Sequence, residues 1–100
     1  MTAQPPQSFE AEQEVLATCL ISPEHMPWLA TQLEEADFWA GHHRALWSLF
    51  AECQAKHSTV DLVLVQQLAR DTGRWDLCGG TRVLGQIMDR TGLSSHADWY

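Results

Sequence analysis

From His42 to Lys56 the chain reads HHRALWSLFAECQAK, with Leu46, Trp47, Leu49, Phe50 and Cys53 recurring at spacings of three and four. That period gathers them on one broad apolar stripe of an α-helix, and a stripe so bulky belongs at the centre of a core. Burying one large side chain stabilises by about 1.5–3 kcal/mol, so loss of Trp47 or Phe50 is expected to cost more than any surface charge change. Gly41 breaks the chain just before this helix.

The flanking segments carry helix punctuation. Pro5-Pro6 bars a helix before Ser8, which leaves residues 1–7 as a flexible leader. Ser8 can cap a first helix reaching Ile21, with Glu10 and Glu12 supplying negative charge at the positive end of its dipole. Phe9, Val15, Leu16, Cys19 and Leu20 form its apolar face, and Glu10, Gln13 and Glu14 lie away from it. Ser22-Pro23 closes that helix and opens a shorter one to about Leu33, with Pro27 in its first turn and Trp28 and Leu29 directed inward. A polar turn over 34–37, ending at Asp37, precedes the bulk of Phe38-Trp39.

Asp61 is suited to cap a helix over 62–71 that buries Leu62, Val65, Leu68 and Ala69, with Gly73 left-handed beyond its end. Gly79-Gly80 makes a tight turn, Val83, Leu84, Ile87 and Met88 mark a fifth helix ending near Gly92, and Ser94-Ser95 opens a sixth over 96–100. Residues 58–65 are β-branched enough for a strand but have no partner strand. The fold class expected is all-α, one domain over residues 8–100.

Composition agrees with a folded domain: 45% hydrophobic and 19% charged residues is ordinary globular usage. No apolar run approaches the roughly 18 residues of a membrane span and no secretory signal opens the chain, so the expected location is cytoplasmic, without membrane contact. Cys19, Cys53 and Cys78, an odd number at wide spacing, read as reduced thiols. The net charge of −7 sits mostly in the first half, which has seven acidic groups against Arg44 alone. Such a surface repels a phosphate backbone unless Arg70, Arg74, Arg82 and Arg90 converge, so little direct nucleic-acid binding is expected and a basic protein partner fits better.

No motif supplies catalysis or a cofactor. A phosphate-binding loop needs a lysine after glycine-rich backbone, whereas the only lysine, Lys56, follows Ala55 with no glycine nearby. Gly79-Gly80 could expose amides to an anion, but the plainer reading is a turn that needs small residues. Cys53 and His57 stand at ligand spacing, with His42, His43 and His25 as further donors; the competing reading is a core thiol and a helix-end histidine. His43-Arg44 suggests acid–base chemistry without any nucleophile placed beside it. Of the five tryptophans, Trp47 is assigned to the core, while Trp75, in a loop, and Trp99-Tyr100 are candidates for a partner interface.

Taken in order, Pro5-Pro6, the helix opening Glu10-Ala11-Glu12 through Leu16, Asp37-Phe38-Trp39, His43-Arg44 through Trp47, Val60-Asp61 and Gly79-Gly80 resemble the N-terminal domain of the replicative DNA helicase family typified by bacterial DnaB. The similarity runs from Pro5 to Tyr100. Departures are Ala17, where the family usually has Gly, Trp75, where it favours an aliphatic residue, and Asp98 within the last four residues. The resemblance implies a compact orthogonal bundle of about five to six short helices and a non-catalytic role. It also implies that subunits pair, as a dimer or in the collar of a hexamer, and that the domain contributes to binding the primase C-terminal domain, with a helicase loader as a further partner. ATP and magnesium belong to a motor domain elsewhere in such a helicase. The alternative is a stand-alone helical adaptor that regulates a helicase ring.

Overall fold

The computed structural model describes residues 8–91, and these form five α-helices joined by two short 3₁₀ turns. The helices are α1 (Phe9–Ile21), α2 (Met26–Gln32), α3 (Gly41–His57), α4 (Leu62–Asp71) and α5 (Gly80–Thr91); the 3₁₀ turns span Pro23–His25 and Glu35–Asp37. No strand occurs among the described residues. The leader over 1–7 and the sixth helix expected over 96–100 lie outside them.

Local chemistry sets the boundaries. Ser8 is extended (φ −149°, ψ 162°) and its hydroxyl accepts the Ala11 amide at 3.0 Å, which satisfies one of the free donors of the first turn of α1. Asp61 does the same for α4, accepting from Val63 at 3.0 Å and Leu64 at 3.2 Å. Ser58 ends α3 with φ 59°, and Gly73 turns the chain after α4 with φ +71°.

The core is built around α3. Leu46, Leu49, Phe50 and Cys53 have no exposed surface, and Trp47 packs its ring against Phe38 at a centroid separation of 5.2 Å. α1 lies chiefly against α5, and α4 against α3. Leu16 and Cys19 of α1, Val65 and Ala69 of α4, and Ile87 of α5 complete the buried set.

Three expectations about inward faces are corrected, the first being Phe9, which is 45% exposed at the head of α1. Trp28 is 48% exposed, and Met26 is the residue of α2 that is fully buried. Because the 3₁₀ turn over Pro23–His25 delivers the chain into α2 at Met26, the inward row is Met26, Leu29 and Leu33 at helical spacing, and Trp28 falls about 200° round the helix from Met26. Gln13, expected to face solvent, is buried because Arg90 of α5 covers it, donating from Nε to Gln13 Oε1 at 2.7 Å and from Nη1 to Glu14 Oε1 at 2.5 Å.

Candidate functional site

The polar centre of the domain is a carboxylate inside the core. Glu12 sits one turn ahead of Leu16 on the inward face of α1 and is fully buried, so it does more than complement the helix dipole. Its Oε2 accepts the Trp39 amide at 2.5 Å, and its Oε1 accepts the Ala40 amide at 3.2 Å and the Nδ1–H of His43 at 2.7 Å. A carboxylate oxygen only accepts, so the shared proton is on Nδ1. The group lies where α3 begins, at the positive end of that helix, and Ala40 has no side chain able to cap it. Glu12 supplies from α1 the negative charge that α3 lacks locally.

Arg44 closes the clasp from the other side. Its Nε donates to the Phe38 carbonyl at 2.6 Å and its Nη2 to the Trp39 carbonyl at 3.1 Å. Asp37 fixes the preceding 3₁₀ turn by accepting the Glu34 amide at 2.8 Å. The Asp37-Phe38-Trp39 segment is thereby held by both its amides and its carbonyls: Phe38 is driven into the core, and the Trp39 side chain stands 81% exposed. Phe9 lies over the His43 ring at 4.6 Å. Glu12 and His43 have the composition of an acid–base dyad, but neither has exposed surface, so no substrate reaches them. The pair works as a fastener.

The loop from α4 to α5 is equally self-contained. Trp75 is half-buried, lying beneath the Arg70 guanidinium at 4.6 Å and against the backbone of Gly80. Gly79 (φ +87°) and Gly80 (φ +58°) give their amides to Asp76 and Trp75 carbonyls at 3.1 and 2.9 Å. These two glycine amides are therefore already used. His42 Nδ1 meets the Leu77 carbonyl at 3.0 Å and ties this loop to the head of α3. Arg74 bonds Thr72 Oγ1 at 2.8 Å and forms an ion pair with Glu52, while Arg90 is engaged by Gln13 and Glu14. Arg74 and Arg90 are thus committed to the chain's own carboxylates.

Of the other sequence candidates, Cys53 is buried and His57 is exposed, and among the described residues no group of three His, Cys, Asp or Glu is placed to hold a metal. Burial pushes the Cys19 thiol up to about 12. Glu10 is exposed in the first turn of α1, and Trp99 and Tyr100 lie outside the described residues. No described helix is long and apolar enough to cross a membrane. Sequence reasoning missed the burial of Glu12, although its spacing from Leu16 and Cys19 places all three on one helical face; it also missed the exposure of Trp39.

The model of the DnaB-like helicase N terminal domain matches residues 4–100. The chain is 31% identical over 87 residues to the replicative DNA helicase DnaB of Haemophilus influenzae, covering 87% of this chain and 19% of that protein. It is 29% identical over 96 residues to the replicative DNA helicase DnaB of Rhodothermus marinus (96% of this chain, 10% of that protein) and 30% identical over 89 residues to that of Synechocystis (89% and 10%). It spans about a fifth or less of the length of these relatives.

Proposed function

Because the chain belongs to the DnaB-like helicase N-terminal domain family, we propose that it acts in DNA replication as a non-catalytic assembly and docking domain. In this reading it pairs helicase subunits, contributes to the collar of a hexameric ring and offers a surface to the C-terminal domain of a primase, or to a helicase loader. ATP hydrolysis, with its magnesium, belongs to a motor segment outside these residues. The observation that carries the reading is a family match running through almost the whole chain. Its physical support is a bundle whose buried carboxylate, Glu12, is spent on holding the fold and whose net charge of −7 disfavours direct contact with a phosphate backbone.

Calorimetry of the full-length helicase with the primase C-terminal domain of the same organism tests recruitment, and sedimentation of the present chain tests pairing. Saturable binding and a concentration-dependent dimer are expected. A helicase that does not bind primase removes the recruitment half, and a chain that stays monomeric at high concentration removes self-sufficient pairing.

A further inference from the structure

An open groove of about 390 Å³ runs between α2 and α3, with Leu33 and Trp47 at its base and Ala51 and Ala55 one turn apart along one wall. Alanines at that spacing let a second backbone approach closely, and the two helices flanking the cleft give it the shape that accepts an amphipathic helix. Its charge is one-sided. Glu34, Glu35 and Glu52 line it, and no lysine or arginine does. Glu52 is answered by Arg74 and the Glu34 side chain accepts the Asp37 amide, while both Glu34 and Glu35 stay exposed on the rim.

We propose that this groove docks an amphipathic helix of a partner protein that carries lysine or arginine beside its apolar face. The proposal rests on the docking role above and gives that role a location and a partner chemistry. Charge complementarity selects the occupant. Residues 92–100 of this chain carry Asp98 and no lysine or arginine, so they mismatch an acidic rim. In a second copy, Arg44, Arg74 and Arg90 are engaged within their own chain and Arg70 lies over Trp75, which leaves Lys56 on α3 and Arg82 on α5, on separate helices and so not a basic row beside one apolar face. Apolar anchors over Trp47 would supply the buried centre of the contact, and the glutamates its orientation and salt dependence.

The test uses the whole 100-residue chain and two synthetic helical peptides of about four turns, with leucine at i, i+3 and i+7 and either lysine or glutamate beside that row. Titrations are followed by amide NMR shifts. The lysine peptide is expected to bind in the micromolar range, to shift the amides around Ala51 and Ala55, and to bind more weakly at high salt; the glutamate peptide should not bind. Glu35→Lys should weaken binding about threefold, as expected for one rim charge. Ala55→Arg, an exposed position where arginine preserves helix propensity, should weaken it at least about tenfold by filling the cleft. Val63→Arg, on α4, should leave binding unchanged.

Equal binding of both peptides, binding by neither, or shifts that map elsewhere overturns the proposal. So do nuclear Overhauser contacts between residues 92–100 and Trp47 in the free chain, or groove shifts that grow with protein concentration alone, which identify the tail or a second copy as occupant. Because no primase is present, failure here leaves the recruitment reading standing, and failure of recruitment leaves the groove result intact.

Discussion

Replacing Glu12 with glutamine isolates the buried fastener, because the side chain keeps its shape and no cavity opens. The carboxylate receives three N–H groups, from Trp39, Ala40 and His43. A glutamine has one accepting oxygen and one NH₂ group, so in either orientation an NH₂ faces a donor. The better orientation directs the oxygen at Ala40 and His43 and leaves the Trp39 amide unpaired. Losing a hydrogen bond to a charged acceptor costs about 1.5–3 kcal/mol, and the two that remain weaken because a charge-assisted bond is about twice as strong as a neutral one. Removing a buried charge returns part of its desolvation cost. The net loss is about 2–4 kcal/mol, which at about 4–8 °C per kcal/mol is a fall in Tm of roughly 8–32 °C.

Urea unfolding followed by circular dichroism measures this directly. The midpoint should fall with the slope unchanged, as for a loss of stability without a change in exposed surface. Amide exchange at Trp39 should accelerate more than at Phe50, since the clasp around Trp39 opens while α3 stays packed. A Glu12→Gln protein within about 1 kcal/mol of the native chain would refute the fastener, because surface changes routinely reach half that size.

The two glycines of interest should respond with opposite signs. An added Cβ at Gly79 meets Val83 Cγ2 at 2.0 Å in a backbone with φ +87°, so Gly79→Ala should lose more than about 2 kcal/mol. Gly85 is exposed in mid-α5 with nothing within 4 Å of an added Cβ, and Gly85→Ala should gain about 0.5–1 kcal/mol; thermal melts of both distinguish them. Burial raises the Cys19 thiol from 9.0 to about 12, so its contribution is complete below pH 9 and is lost as pH climbs toward 12. The native chain should lose up to about 1.4 kcal/mol per pH unit there through this group, a slope absent from Cys19→Ala in matched denaturation series. Trp39→Ala should change stability by no more than about 0.5 kcal/mol, and it should weaken any contact the exposed indole makes, read as a loss of affinity in the primase titration.

Elements governed by near neighbours in sequence were legible in it. Ser8, Asp61 and Gly73 cap or turn as their chemistry requires, and the Leu46–Cys53 stripe forms the core, because these outcomes depend on residues within a turn or two. Failures came where distant residues decide. Gln13 is buried by Arg90, 77 positions away, and Glu12 by the turn over 38–40, so a polar residue on α1 gave no local sign of its partner. Trp28 was misplaced for a different reason: the 3₁₀ turn ahead of α2 fixed the helix phase, and hydrophobicity alone does not encode phase over seven residues. Trp75 looked available as a loop aromatic, but a cation above it and a glycine backbone below it occupy much of its surface.

The Arg90 attachment to α1 bears on how the chain emerges from the ribosome. The first described helix docks on the last one described, with Gln13 and Arg90 77 residues apart. At about 5–20 residues per second, Gln13 waits roughly 4–15 s for Arg90, its cover. During synthesis α1 is thus an unfinished surface, which gives a nascent-chain chaperone or the same helix on a neighbouring polysome time to engage it before the bundle closes.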